Sequence, residues 1–236
     1  MIDEAHWRAL RSMEAADVCR RALCRYCDAA GAYELSLLNR TLVISPAEAM
    51  VRWGCGAATD DRAPGYNEAL VGVTYLLGAS ECPLEGEWVG AESLPAGPFF
   101  FRGPHTLPTD KIAATFGCHG QFGVGALAHA ATALGGTVLA RTAGNVSGEM
   151  AVQLQVLPRI PVRCLLWRAD DEFPARATML FDRSIGRHLL PDGIYCLAHV
   201  VAKALCQAGG EAFAKESAAI PGSMRRRPSG DGREAG

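Results

Sequence analysis

Apolar and polar side chains alternate most regularly between residues 150 and 182. In the stretch 150–156, every second residue is large and apolar, with alanine or glutamine between. A proline-containing corner follows, then a nearly continuous apolar run at 162–167 and, after an acidic turn, a third stretch at 178–182. Strict alternation is typical of a half-buried strand, and a short continuous apolar run of a more buried one. The pattern predicts an antiparallel meander of three strands, followed by a helix over 194–207.

Helical spacing of apolar residues marks the beginning of the chain. Between Trp7 and Tyr26 such residues recur at roughly helical spacing, which predicts one long helix from Asp3 to Ala30. Asp3 is a residue type suited to the N-cap of that helix. Alternation then resumes over 33–44 and predicts a β-hairpin that turns at Asn39-Arg40.

The middle of the chain predicts further helices and one short strand. Residues 47–52 fit either a helix or a strand, and the other predicted elements are a buried helix over 67–77, a short strand at 85–89, a helix over 109–117 with Thr109 as its N-cap, and a helix over 121–134. Sheets and helices each bury an apolar face against a partner. The expected fold class is therefore α+β, an antiparallel sheet meander packed by helices, with a long N-terminal helix and a hairpin.

One domain accounts for most of the length. Residues 1–220 are expected to form a single α+β domain, in which 1–45 provide the helix and hairpin layer and 150–207 the core meander with its helix. The tail 221–236 contains three arginines and many glycine, serine and acidic residues. Its apolar content is too low to form a core, so we expect it to be disordered.

Composition and charge exclude several classes of protein. The chain has 236 residues, of which 49% are hydrophobic and 20% charged, and a formal net charge of −2. These values suit a soluble globular protein and give no reason to expect binding to nucleic acid or to an anionic membrane. The first residues lack a secretory signal pattern, and no apolar run approaches the roughly 20 residues that span a bilayer. The expected location is the cytoplasm.

Five segments carry a resemblance to a known family. They are Gly86-Glu87-Trp88, the run Leu94 to Gly97, the corner Leu157 to Val162, the run Leu166 to Pro174, and the strand Ala177 to Asp182. Over the range from Tyr33 to Leu205 the sequence resembles the bacterial and archaeal family called domain of unknown function 3786. The resemblance implies a cytoplasmic protein, mostly from anaerobes, without an established activity. It also implies that some relatives carry a cysteine-rich domain of iron–sulfur type in front.

The nine cysteines raise the question of a metal site. On the predicted N-terminal helix, Cys24 and Cys27 would lie on one face, with Cys19 nearby. Cys55, or alternatively Cys118-His119, lies between glycines and could supply the further donor that a zinc or iron–sulfur site needs. Strong metal signatures contain two close pairs, however, and this sequence has only one. The alternative is that the cysteines are free thiols in a reducing compartment.

An irregular aromatic stretch at 99–108 is the candidate ligand site. Arg102 and His105 precede the predicted helix that starts at Thr109, and helix N-termini favour anions. Arginine adds a forked donor and histidine titrates near neutral pH. Arg159, at the proline corner of the meander, is a further candidate ligand residue. The alternative is that the aromatic residues fill the core and that Arg102 pairs with a carboxylate.

Three functional hypotheses remain open from the sequence. The leading one is a cytoplasmic, non-enzymatic module that binds a small anionic ligand or a cofactor. The second is a metal or iron–sulfur protein that uses the cysteines. The third is an enzyme of unassigned reaction, in which Asp170, Asp182 and His105 act as acid and base. The chain contains no nucleotide-binding loop and no hydrolase or zinc-protease motif.

Overall fold

A computed structural model describes residues 2–54, 63–101, 106–117, 123–140 and 148–219. The helices are α1 Glu4–Arg11, α2 Ala15–Ala22, α3 Tyr66–Gly78, α4 Gly97–Phe100, α5 Thr109–Phe116, α6 Gly123–Ala133 and α7 Pro191–Ala219. The strands are β1 Arg25–Cys27, β2 Ala32–Leu37, β3 Arg40–Ser45, β4 Met50–Trp53, β5 Trp88–Val89, β6 Thr137–Val138, β7 Met150–Leu157, β8 Ile160–Trp167 and β9 Arg176–Asp182. Two antiparallel sheets and the surrounding helices confirm the α+β class.

The predicted single helix from Asp3 to Ala30 is wrong in extent. Asp3 is the N-cap as expected, and its carboxylate accepts the Ala5 N–H at 2.7 Å, but α1 ends at Arg11 with Ser12 as its C-cap. After α2, Leu23 has a left-handed backbone with φ 52°, and the chain then continues as strand β1. Both α1 and α2 contact α3, so apolar residues continue on either side of the first break, and Tyr26 in β1 continues them past the second. The periodicity alone therefore could not reveal them.

The predicted hairpin is confirmed as β2 and β3, the centre of a sheet with the order β1-β2-β3-β4. Its turn lies one residue earlier than predicted, at Leu38-Asn39. Leu38 donates its N–H to the Val156 carbonyl at 2.8 Å, and the Asn39 amide donates to the Ala133 carbonyl at 2.9 Å. The tip of the hairpin is therefore held by β7 and α6. The ambiguous stretch 47–52 contributes strand β4.

The predicted meander is confirmed as β7, β8 and β9 in a second sheet with the order β5-β9-β8-β7-β6. One face of its three long strands is fully apolar and buried, and consists of Val152, Leu154, Val156, Val162, Cys164, Leu166, Ala177, Met179 and Phe181. At an average of about 2 kcal/mol for each large apolar side chain removed from water, this face is a main source of stability.

Helices fill the space between the sheets. The predicted helices at 109–117 and 121–134 are confirmed as α5 and α6, which contact β9, β8 and β7. The helix predicted at 194–207 is longer than expected, and it mainly contacts α3 on one side and α5 and α6 on the other. Buried residues occur all around it between Ile194 and Leu205, which is typical of a helix enclosed in a core.

Among the described residues, no helix combines the length and apolarity that crossing a membrane requires. The tail 221–236, predicted to be disordered, lies outside the described residues.

Candidate functional site

Some of the sequence-predicted site residues lie in the described part of the chain and others lie outside it. Arg102, His105, Cys55 and Cys118 lie outside the described residues, so their predicted roles stay predictions. Thr109 is the first residue of α5, whereas the N-cap position is Pro108 and has no side-chain hydrogen bond. The predicted capping role of Thr109 is therefore wrong by one position.

Arg159 joins the β7–β8 turn to the end of α2. Its Nε donates to the Arg21 carbonyl at 2.6 Å, and Nη2 donates to the Arg20 carbonyl at 3.4 Å. The last carbonyls of a helix have no partner within the helix and carry its negative dipole end, so an arginine there is stabilising. These contacts give Arg159 a role in the fold that needs no ligand.

The cysteines are arranged differently from the helical prediction. Cys24 follows the end of α2 and Cys27 lies exposed in β1, so the two do not share a helix face. The sulfur of Cys24 lies 3.9 Å from that of Cys19. Burial, with a further effect of Cys19, raises the pKa of the Cys24 thiol to about 12. Within the described ranges, no three histidine, cysteine or acidic residues come together in a way that could hold a metal ion.

Asp182 is a buried carboxylate that holds the segment 80–87 against the end of β9. It accepts the N–H groups of Glu85 at 3.0 Å, Gly86 at 2.7 Å and Ser184 at 3.0 Å. Burial alone would raise the pKa of this carboxyl, but the hydrogen bonds outweigh burial and the pKa lies below its usual value. Both oxygens are engaged with backbone, which favours a structural role over the acid–base role proposed from the sequence.

The Asp170 carboxylate also accepts backbone N–H groups, although the residue is exposed. It accepts the N–H groups of Glu172 at 2.9 Å and Phe173 at 2.7 Å. A carboxylate that closes its own turn in this manner is a common turn device. The acidic turn therefore has a conformational explanation.

His188 holds the other end of the segment 80–87. Its Nδ1 accepts the Ser80 N–H at 3.2 Å, and its Nε2 lies 3.5 Å from the sulfur of Cys82. Since Nδ1 is an acceptor, the neutral ring carries its proton on Nε2 and donates it toward the sulfur. Burial and the charge of Arg159 keep the pKa of His188 below its usual value. The ring is therefore a neutral donor and cannot take the proton of the thiol as a general base would.

The lowered pKa of His188 predicts that acid destabilises the protein. Below about pH 6.5 the unfolded chain takes up a proton on this histidine before the folded chain does. The stability that neutral His188 contributes to the folded state is thus complete above about pH 6.5. It is lost as the pH falls, by up to about 1.4 kcal/mol per pH unit. In His188→Asn, the amide oxygen can still accept the Ser80 N–H but does not titrate. Urea denaturation at several pH values should show that the unfolding free energy of the variant depends less steeply on pH than that of the unchanged protein. An equal dependence in both would contradict the lowered pKa of His188.

Two adjoining cavities form a groove at the N-terminal end of α3, here called the α3 groove. The apolar cavity has a volume of about 540 Å³ and is lined by Ile2, Glu4, Trp7, Ala49, Met50, Val51, Pro64, Gly65, Tyr66 and Ala69. The polar cavity has a volume of about 200 Å³ and is lined by Gly65, Tyr66, Asn67, Glu68, His199, Val200 and Lys203. The cavities share Gly65 and Tyr66, so an apolar and a polar compartment lie side by side.

The polar compartment contains an ion pair and an unsatisfied imidazole. Glu68 is 9% exposed, and its carboxylate lies 2.7 Å from the Lys203 ammonium. The Nε2 atom of His199 is buried and has no hydrogen-bond partner within the described part of the chain. Burial, together with the charge of Lys111, keeps the pKa of His199 below its usual value. A buried polar atom without a partner costs about 1–3 kcal/mol, and the residue that carries it lines the polar compartment.

The predicted ligand loop starts close to this compartment. The ring of Tyr195 contacts the ring of His199, with centroids 4.5 Å apart, and the ring of Phe100 at 6.5 Å. Phe100 lies two residues before Arg102. The flank of the predicted loop and the polar compartment therefore share Tyr195 as a neighbour.

Sequence reasoning did not identify Glu68, His199 or Lys203. One signal was available, because Glu68 is an acidic residue near the start of a helix that is otherwise almost entirely apolar. His199 and Lys203 are four residues apart on α7, a spacing that places them on the same face. Only tertiary structure brings that face to the beginning of α3.

Comparison with known proteins gives a family and no further relatives. A family model described as "Domain of unknown function (DUF3786)" matches residues 14–204. No curated protein and no solved structure matches the chain.

Proposed function

We propose that this chain, which belongs to the DUF3786 family, is a cytoplasmic module that binds a small amphipathic molecule with an anionic head in the α3 groove. The adjoining apolar and polar cavities carry the proposal, because His199 and Lys203 line the polar one beside the apolar wall. Small-molecule sites are commonly concave and mostly apolar, with volumes of about 300–1,000 Å³ and a few polar groups that fix orientation. The larger cavity of the groove lies within that range.

The apolar compartment suits a flat, hydrophobic body. Tyr66 and Met50 are 55% and 42% exposed, although both side chains are large and apolar. Both line the same cavity, together with the indole of Trp7. Apolar residues that cluster around a concavity indicate a binding surface more strongly than scattered ones do. A bound aromatic or aliphatic body would remove these side chains from water.

The polar compartment suits an anionic head. The Lys203 ammonium is paired with the Glu68 carboxylate, and the positive charge of Lys111 also acts on His199. Lys203 uses one of its three donors on Glu68, which leaves donors for a ligand. An anion beside His199 would raise the pKa of that imidazole, because an opposite charge favours the protonated form. Binding should therefore tighten as the pH falls.

A fluorescent anion with an aromatic body, anilinonaphthalene sulfonate, tests the proposal. We expect one site per folded chain, with affinity reduced roughly tenfold in Lys203→Met, because a charged hydrogen bond contributes about 1.5–3 kcal/mol. Tyr66→Ala should weaken binding by removing part of the apolar wall. Fluorescence titration against the folded protein measures both effects.

The matched control is Arg176→Met, which removes an exposed cation that stacks on Trp167 at the opposite sheet. This variant should bind the probe as the unchanged protein does. Urea midpoints measured in parallel show whether each variant is folded. Absence of a stoichiometric site, or equal affinity in all three variants, would overturn the proposal.

Two alternatives have less support. An iron–sulfur or zinc site with Cys24, Cys27, Cys55 and Cys118 stays a prediction, since two of its four ligands lie outside the described residues. An enzyme that uses Asp170 and Asp182 is not favoured, because both carboxylates accept backbone N–H groups. The slightly negative net charge supports a partner other than nucleic acid.

A further inference from the structure

The thiols of Cys19 and Cys24 form a close pair at the end of α2. Their sulfurs are 3.9 Å apart, and both residues are partly exposed. The Cys24 N–H donates to the Cys19 carbonyl at 3.3 Å, and Leu23 between them has a left-handed φ of 52°. This backbone bond closes the chain on itself, so both side chains are held at one site.

The backbone around the pair is fixed from two other elements. Arg159 donates to the carbonyls of Arg20 and Arg21, and the Tyr75 hydroxyl donates to the Ala22 carbonyl at 3.2 Å. These bonds cover three consecutive carbonyls between the two cysteines. The short distance between the sulfurs is therefore a property of the folded chain and does not depend on a flexible terminus.

The third cysteine of the segment is placed differently. Cys27 lies in the edge strand β1, where it pairs with Ala32, and it is exposed. Spacing along the sequence would favour a Cys24–Cys27 pair, whereas the fold favours Cys19–Cys24. Cys27 therefore serves as an internal control for reactions that require two close thiols.

We propose that Cys19 and Cys24 form a dithiol site that closes to a disulfide with a peroxide and binds a trivalent arsenical across both sulfurs. A disulfide requires sulfurs about 2.05 Å apart, and rotation of the two side chains can supply the remaining approach. The site is independent of the α3 groove and of any bound ligand there.

The oxidation is balanced in two steps. The Cys19 thiolate attacks one oxygen of hydrogen peroxide, the O–O bond breaks, and a sulfenic acid and one water form. The Cys24 sulfur then attacks the Cys19 sulfur, the S–O bond breaks, and a second water leaves as the S–S bond forms. Two thiols lose two electrons and two protons, and the peroxide is reduced to two waters. Burial raises the pKa of Cys24, so the second step is expected to be slow at neutral pH and to accelerate as pH rises.

Peptide mapping of the oxidised full-length chain tests the pairing. After treatment of reduced protein with hydrogen peroxide, we expect a cross-linked peptide that joins residues 19 and 24 and that has lost two hydrogen atoms. Cys27 should remain available to iodoacetamide. Cross-links from Cys24 to Cys27, or separate oxidation of Cys19 and Cys24 without a cross-link, would overturn the proposal.

Arsenical binding tests the same pair without oxidation. Native mass spectrometry with phenylarsine oxide should show one fewer bound arsenical in Cys19→Ser and in Cys24→Ser than in the unchanged chain. Cys27→Ser should bind as many as the unchanged chain. An equal number in all four proteins would contradict the site, and the peptide map of the unchanged chain decides the matter if a serine variant does not fold.

Discussion

Replacing Asp182 with alanine will lower the free energy of unfolding by about 3 kcal/mol or more, the largest loss expected from a single polar side chain here. Asp182 is 1% exposed and accepts three backbone N–H groups. Alanine leaves these donors without their acceptor and leaves a void at the end of β9. Equilibrium urea denaturation followed by circular dichroism measures the loss.

Surface ion pairs cannot compensate for that carboxylate. Arg183 makes two contacts of 2.6 Å with Glu87, but the arginine and glutamate side chains are 38% and 57% exposed. Exposed pairs contribute about 0–1 kcal/mol. The buried carboxylate therefore dominates the attachment of the segment 80–87.

Two substitutions calibrate the Asp182 result. Asp182→Asn keeps one acceptor oxygen but turns an N–H₂ group toward a backbone donor, so its loss should be substantial but smaller than that of alanine. Asp171→Ala changes an exposed residue of the acidic turn and should fall within about 0.5 kcal/mol of the unchanged protein. A loss below about 1 kcal/mol for Asp182→Ala would contradict the role assigned to this carboxylate.

Replacing Gly78 with alanine will cost about 1–3 kcal/mol, although the glycine itself is exposed. A Cβ atom at this position would lie 2.6 Å from the carbonyl oxygen of His188. The obstacle is backbone, so a side-chain rotation cannot relieve it. The last turn of α3 would have to separate from His188, which would lengthen the Ser80–His188 hydrogen bond as well. Urea denaturation again measures the change.

Gly210 in α7 provides a control of opposite sign. A Cβ atom there would meet no atom of the described residues within 4 Å beyond its own neighbours in the helix, and alanine favours a helix over glycine by about 0.5–1 kcal/mol. Gly210→Ala should therefore raise stability. If Gly78→Ala raised it equally, the close approach of α3 and His188 would be refuted.

The Gly78 prediction concerns the C-terminal end of α3, the helix whose other end borders the α3 groove. The C-terminal end of α3 is held by His188 and by Arg21, whose Nη1 donates to the Ala79 carbonyl at 2.5 Å. The N-terminal end, at Gly65 and Tyr66, forms part of the α3 groove. A firmly held α3 gives the groove a rigid wall, which lowers the entropy cost of binding.

The meander could be predicted from the sequence because its signal is local. The alternation in 150–156 and the apolar run at 162–167 indicate which side chains each strand buries. The predicted strands are confirmed by the pairing of β7, β8 and β9. The N-terminal error has a long-range cause. Tyr26 pairs with Tyr33 across β1 and β2, and this sheet contact prevails over the helical spacing that continues through the same residues.

The candidate site was harder to predict than the fold. Trp7, Met50, Tyr66 and His199 come from four separate parts of the sequence and share no spacing. None belongs to a recognised chemical motif, so only their placement in space indicates a function. Phe100, which comes two residues before Arg102 in the sequence, contacts Tyr195, and Tyr195 contacts His199.

The measurement that tests the groove most directly is ¹⁵N NMR of the His199 imidazole during titration with anilinonaphthalene sulfonate. Occupancy of the polar compartment should shift the His199 resonances and raise the pKa of this imidazole, because the sulfonate favours its protonated form. His188, which is 2% exposed and already accepts the Ser80 N–H, should not respond. A probe that saturates the protein while the His199 resonances and pKa stay unchanged would contradict binding in the α3 groove.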